Sequence, residues 1–307
     1  MRPAVETRGL TKTYGDVRAL TELTLDVNPG EAFGFLGPNG AGKTTAIRLL
    51  LALQRPTRGR ARVLGLDAQD DAVAIHKRIG YLPGELRLYE RMTGLQHIEW
   101  FQRLRGIPND PLAEQLASRF EAVLDHPVRE LSKGNRQKIG LVLALMTQPE
   151  IAILDEPTSG LDPLMQREFE RVVREIVSDG RTVFLSSHDL DGVQRIADRV
   201  AIIRSGRLVA IDSVDRLRAT SPRRIEATFT TVVDPGWFAV LDGVRVTSWD
   251  GMHISLHVTG PLAPVLQVLA DREPADLSIG HTDLEELFLQ FYDTHPERER
   301  DLSDRRA

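Results

Sequence analysis

Glu31-Ala32-Phe33-Gly34-Phe35-Leu36-Gly37-Pro38-Asn39-Gly40-Ala41-Gly42-Lys43-Thr44-Thr45 is the stretch that decides the fold. Glu31 to Leu36 reads as a short apolar strand, and Ala41 to Leu53 as a helix. The turn between them, Gly37 to Thr44, fits the pattern G-x-x-x-x-G-K-[ST] in the setting its chemistry needs. Glycines let backbone N–H groups turn inward around phosphate oxygens, and the helix N-terminus adds partial positive charge. Gly37, Pro38, Asn39, Gly40, Ala41, Gly42, Lys43, Thr44 and Thr45 are therefore candidate phosphate contacts. Lys43 reaches toward the terminal phosphates, and the Thr44 hydroxyl is a candidate Mg²⁺ ligand. The competing reading is an ordinary tight glycine-rich turn, which the flanking strand and helix disfavour.

Further along, Ile151-Ala152-Ile153-Leu154-Asp155-Glu156 is an apolar strand ending in adjacent carboxylates. Asp155 is a candidate Mg²⁺ ligand. Glu156 is a candidate general base acting on an attacking water. An acidic strand end facing solvent is the alternative. Other short apolar runs, at Ile79 to Leu82, Thr182 to Ser186, Arg199 to Ile203 and Leu208 to Ile211, alternate with helical spacing. That alternation marks an α/β protein. From Thr93 to about Gln148 the apolar spacing is helical throughout, which predicts a helical insertion at about 84–148.

The character changes near Thr220-Ser221-Pro222, a plausible linker. Beyond it the pattern predicts a strand at 224–230, a helix at 235–241, strands at 244–249 and 253–258, a helix at 261–271 and a strand at 275–280. Asp250-Gly251 is a hairpin turn signal. The order βαββαβ is the ferredoxin-like pattern, followed by a helix at 283–292 with Thr282 and Glu285 at capping-box spacing. The domain reading is 1–220, then a small α+β domain at 221–294, then a charged, frayed tail at 295–307.

The 307 residues are 41% hydrophobic and 27% charged, as expected of a globular chain. A net charge of −5 argues against a nucleic-acid partner. The chain has no cysteine, which excludes disulfides and thiol-ligated zinc. Met1 to Leu10 contains Glu6 and no apolar core, so no leader is expected there. No apolar run approaches the roughly 18 residues needed to span a bilayer.

Leu131-Ser132-Lys133-Gly134-Asn135-Arg136-Gln137-Lys138 opens a helix shortly before the acidic strand. It resembles the L-S-G-G-Q signature of ABC ATPases. Glu156-Pro157-Thr158-Ser159-Gly160-Leu161-Asp162-Pro163 resembles that family's D-loop segment, and Ser187-His188 stands at its switch histidine. Tyr14, in Lys12-Thr13-Tyr14-Gly15, stands where the family stacks an aromatic ring on adenine. The motifs cover residues 1 to about 215, with family order and spacing.

The resemblance implies a P-loop NTPase core that binds ATP and Mg²⁺ and hydrolyses ATP. It implies roles for Glu156, His188 and Lys43 in the chemistry, and for Tyr14, Ser132, Gly134 and Asp162 in nucleotide contact. Ser132 and Gly134 would act on the nucleotide of a second subunit, with a homodimer expected. It also implies integral membrane permease partners and a peripheral place on the cytoplasmic face of the membrane. Two departures stand out. Gly84 lies where the family usually has a glutamine, with Glu85 a candidate stand-in, and Lys133 lies where the usual signature has glycine. Asp283 to Leu289 is similar to the closing helix of daunorubicin-resistance exporters, which leans toward export of a drug, antibiotic or lipid-like molecule. A soluble ABC ATPase acting on DNA or ribosomes, and a P-loop switch or kinase, are the other classes. Neither paired cassettes nor coiled-coil arms are evident for the former, and the signature and switch histidine speak against the latter.

Overall fold

A computed structural model describes residues 2–107, 110–220 and 222–281. The chain divides into two compact units, the first ending at Val214 and the second beginning at Asp215. The expected helix at 283–292, its capping box and the tail lie outside the described residues.

The first unit opens with antiparallel strands β1 (Val5–Tyr14) and β2 (Val17–Val27), then β3 (Ala32–Leu36) and α1 (Lys43–Leu50). Next come β4 (Arg58–Val63), β5 (Leu66–Asp67), α2 (Ala72–Arg78) and β6 (Ile79–Leu82). Helices α3 (Gly94–Arg105), α4 (Leu112–Arg119) and α5 (Lys133–Leu145) fill the interval before β7 (Ile151–Asp155), with a 3-10 turn at Val128–Glu130. The unit continues with α6 (Pro163–Ser178), β8 (Thr182–Ser187), α7 (Leu190–Gln194), β9 (Arg199–Arg204) and β10 (Arg207–Ser213). Helix α8 (Val214–Thr220) spans the division.

The main sheet has the order β10-β9-β3-β8-β7-β6. All its neighbours run parallel except β9 and β10. Every residue of β3, β7 and β8 is buried, which is why these strands read as continuous apolar runs and not as alternation. The other sheet, β2-β1-β4-β5, is antiparallel. Its inward residues Leu10, Leu23, Leu25 and Val63 share one core with Ile47 of α1 and with Phe33, Phe35, Ile153 and Phe184 of the main sheet. The sequence reading assigned no strands to this sheet. Register shifts in β1 break its alternation, and β4 buries only Ala61 and Val63.

Helix α1 begins at Lys43, later than expected, because Gly40 and Gly42 carry φ values of 81° and 107° and belong to the loop. Between β6 and β7 the described residues form no strand, in keeping with the helical insertion. Helix α3 starts on a capping box made by Thr93 and Gln96.

The second unit contains β11 (Arg223–Thr228), α9 (Gly236–Ala239), β12 (Val244–Trp249), β13 (His253–Val258), α10 (Ala263–Ala270) and β14 (Asp276–His281). Its sheet order is β12-β13-β11-β14, antiparallel throughout. Ile225, Ala227, Ile254, Leu256 and Val258 bury one face against Phe238, Val265 and Leu269. Helix α9 is shorter than the expected 235–241. The β12–β13 turn has Gly251 at φ 103°, and Asp250 Oδ1 accepts from the His253 N–H at 2.9 Å.

Candidate functional site

Strand order is what assembles the site. β3, β8 and β7 are consecutive neighbours in the sheet, and all three run the same way. Their carboxyl ends carry the 37–44 loop, Ser187-His188 and Asp155-Glu156. Open parallel sheets place ligands at this edge.

The loop is pinned by main-chain bonds. The Gly37 N–H donates to the Ser187 carbonyl at 3.2 Å, and the Gly206 N–H to the Ala41 carbonyl at 2.9 Å. A Cβ at Gly37 would lie 2.3 Å from the Ile203 carbonyl oxygen, and one at Gly42 would lie 2.5 Å from that of Ala19. Backbone crowding therefore requires both glycines, and at Gly42 the φ of 107° requires it as well. Pro38, Asn39 and Gly40 are exposed at the tip, while Thr45 is half-buried on α1. The Lys43 side chain curls under the loop. It is 6% exposed, and its ammonium donates to the Gly37 carbonyl at 2.6 Å and the Pro38 carbonyl at 3.3 Å.

Asp155 is fully buried at the end of β7. Its Oδ2 accepts from the Thr44 hydroxyl at 2.8 Å, and its Oδ1 from the Ser186 hydroxyl. Its negative charge reaches the neighbouring strand. Tyr81 on β6 has its hydroxyl pushed above the ordinary value, first by burial and then by Asp155. Glu156 follows in a left-handed conformation, φ 51°, which for a residue with a side chain costs about 1–3 kcal/mol. One carboxylate oxygen, Oε1, is buried without a well-aligned hydrogen bond and lies 3.2 Å from the Lys43 ammonium. The other, Oε2, is 2.8 Å from His188 Nδ1. The structure thus joins Lys43, Thr44, Asp155, Glu156 and His188 in one cluster.

The signature residues lie elsewhere. The exposed Ser132 caps α5 by accepting from the Asn135 N–H at 3.1 Å. Among the described residues no hydrogen bond or ion pair joins 132–134 to the 37–44 loop. Instead, Lys133 donates to the Ser159 hydroxyl at 3.0 Å, and a Cβ at Gly134 would lie 2.5 Å from the Gly160 carbonyl oxygen. Asp162 caps α6, accepting from Leu164 and Met165 at 3.0 Å each. The Met165 N–H, more than any other group, holds its carboxyl below the usual range. Tyr14 is exposed, with its hydroxyl on Gln54 and the Lys12 ammonium 5.0 Å from its ring centroid. Glu85 is not brought to the site. Its side chain is 82% exposed and sits 3.7 Å from Arg87. Gly84 is close by, since a Cβ there would lie 3.0 Å from Asp155 Oδ2.

Sequence reasoning gave no role to Ser186 or Gln137. Ser186 donates to Asp155 and accepts from the Glu156 N–H at 3.2 Å. Gln137 donates to the carbonyls of Glu156 and Pro157. A polar residue inside the apolar β8 run was the available signal for the first, and nothing local signals the second.

Comparison with known proteins identifies the fold and the family. The ABC transporter family model matches residues 20–159. The chain is 36% identical over 300 residues to daunorubicin resistance ATP-binding protein DrrA3 of Streptomyces coeruleorubidus, covering 93% of this chain and 95% of that one. A solved ATP-binding subunit of an ABC transporter, 28% identical, superposes with a TM-score of 0.64 over 70% of this chain and 92% of its own. A dimeric ATP-binding cassette in a post-hydrolysis state with ADP and Pi shares the fold at a TM-score of 0.64 and 23% identity, over 68% of this chain and 98% of its own. The glycine-rich 37–44 loop, the buried Asp155, the Glu156–His188 pair and a relative matched almost end to end lead to one conclusion: this chain belongs to the ABC transporter family as an ATP-binding, ATP-hydrolysing subunit.

Proposed function

We propose that two copies of this chain close on two ATP molecules and drive export through separate integral membrane subunits. The observation that carries the chemistry is the cluster of Lys43, Thr44, Asp155, Glu156 and His188 at one sheet edge. In this reading the 37–44 loop and the N-terminus of α1 hold the phosphates, and Lys43 reaches the terminal ones. Thr44 and Asp155 would hold Mg²⁺. The fit is good, because a hydroxyl and a carboxylate already converge there while phosphate and water oxygens complete such sites. The ion would offset charge on the phosphate oxygens. Glu156 takes a proton from the attacking water. His188, bonded to Glu156, orients it and faces the γ-phosphate. Tyr14 offers the ring face away from Lys12 to adenine.

Ser132, exposed at the start of α5, and Gly134, half-buried beside Gly160, act on the nucleotide of the second subunit. The dimeric cassette of the same fold supports this arrangement. Among the described residues no helix is long and apolar enough to cross a membrane, so the pathway is assigned to partner subunits at the cytoplasmic face. A groove of about 510 Å³, lined by Leu53, Pro83, Leu86, Tyr89, Trp100 and Phe101 among others, offers them an apolar seat. The name of the Streptomyces relative supports a drug-like or antibiotic cargo.

Mixing two inactive variants tests the shared site. Lys43→Ala and Ser132→Arg each damage both sites of their own homodimer. In the mixed dimer one site carries both lesions, and the other joins an intact Lys43 to an intact Ser132. Single-turnover hydrolysis of labelled ATP should reappear on mixing, at one site per dimer. No recovery, with mixed dimers shown to form, would overturn the two-subunit site.

A further inference from the structure

Gln137 is a buried amide, 5% exposed, on the first turns of α5. Its Nε2 donates to the Glu156 carbonyl at 3.1 Å and to the Pro157 carbonyl at 3.0 Å. Both partners are acceptors, so only the amino end of this amide can face them. On its other side, the Glu156 N–H donates to the Ser186 carbonyl and hydroxyl, each at 3.2 Å. The peptide units flanking the Glu156 Cα are therefore tethered separately, one to β8 and one to α5.

That double tether matters because of the conformation between them. With φ at 51°, Glu156 occupies a region that L residues hold only when their surroundings over-determine it. The Cα–Cβ direction follows from the backbone. It is this direction that puts one carboxylate oxygen on Lys43 and the other on His188.

We propose that Gln137 is a positioning residue for hydrolysis: it holds the left-handed turn at Glu156 and so aims the carboxylate. The proposal rests on Glu156 acting as the base. It also ties the signature to the chemistry within one subunit. Ser132 caps the same helix that carries Gln137, so the seat of α5 and the aim of Glu156 move together.

The test is a double-mutant cycle in the full chain. Gln137→Met keeps the side chain's length and removes its donor. Single-turnover hydrolysis should fall about 10- to 100-fold, the scale of a slight misplacement of a reacting group. The equilibrium Kd for ATP should not weaken, because no phosphate contact is touched and a loosened Glu156 competes no more strongly for Lys43. In a Glu156→Gln background the same change should cost less than about twofold, since a residue that acts only through Glu156 has nothing left to aim. Gln137→Glu, which turns a carboxylate toward two carbonyl oxygens, should follow the same pattern with a larger loss beside Glu156. Equal losses in both backgrounds, or a loss confined to Kd, would overturn the positioning role and leave the base assignment standing. A wild-type rate for Glu156→Gln alone would remove the base assignment, and the positioning role with it.

Discussion

Glu156→Gln is expected to do two separable things. The carboxylate lies 3.2 Å from the Lys43 ammonium and 2.8 Å from His188 Nδ1. Any phosphate that engages Lys43 must compete with this anion. At an effective dielectric near 20 the gross attraction at that distance is about 5 kcal/mol. Most of it is offset by desolvation, and charge-assisted contacts retain about 1.5–3 kcal/mol. A neutral amide of the same shape removes the competitor, so ATP should bind about 10- to 100-fold more tightly. Loss of the base should slow hydrolysis at least about a hundredfold. Trapping of a closed dimer would also raise apparent affinity. Calorimetric binding is therefore measured in a Ser132→Arg background, where closure across two subunits is blocked. Tightening that persists there comes from Lys43. Unchanged or weaker binding in that background would refute the competition, and wild-type turnover of Glu156→Gln would refute the base.

Two further outcomes are expected. Arg119 at the end of α4 binds Glu168 at 2.6 Å and Glu175 at 2.5 and 2.8 Å on α6. Arg119→Met should cost about 1–2 kcal/mol at pH 7, between the exposed and buried limits for ion pairs. Arg119 holds the Glu175 carboxyl below its usual value. A depressed carboxyl contributes stability above its unfolded pKa of about 4.3, and that contribution is lost as pH falls through the folded value. Urea midpoints of the two proteins should therefore converge in acid, and a gap that stays constant would exclude the ion pair as its source. A fragment ending at Arg218 should keep ATP binding, because the cluster lies wholly before Val214. A folded fragment that binds no ATP would make the second unit part of the site.

How much of this was legible in the sequence follows from how local each interaction is. The 37–44 loop works through its own glycines and the adjoining helix end, so contiguous residues announce it. The acidic pair was legible because a buried parallel strand is an unbroken apolar run that must end somewhere polar. The antiparallel sheet was not, because β1 carries Thr, Arg and Lys at half-buried positions and its register shifts interrupt the period. Gln137 was illegible for a different reason. Its partners are main-chain carbonyls 19 and 20 residues away, which any sequence supplies. Nothing in its neighbours says which carbonyls the fold will bring.

Gly84 brings these cases together. The family resemblance suggested a missing side-chain ligand there, with Glu85 as its substitute. Glu85 instead points to solvent beside Arg87, and Gly84 lies so close to Asp155 that a Cβ would be 3.0 Å from the carboxylate. The helical insertion leaves the sheet just after β6, at Gly84, and returns through α5, which carries Gln137. Its outgoing end packs on Asp155, and its returning end is hydrogen-bonded to Glu156. The two adjacent acids are thus each approached by one end of the same insertion, while Thr44 and Ser186 hold the Asp155 carboxylate itself. The outgoing contact is steric, because glycine has no side chain to coordinate anything. The returning contact is directional, because an amide must face its carbonyls. A displacement of the insertion would therefore reach Asp155 as a change in packing and Glu156 as a change in aim. That is why hydrolysis, more than nucleotide capture by the 37–44 loop, is the step expected to respond to it.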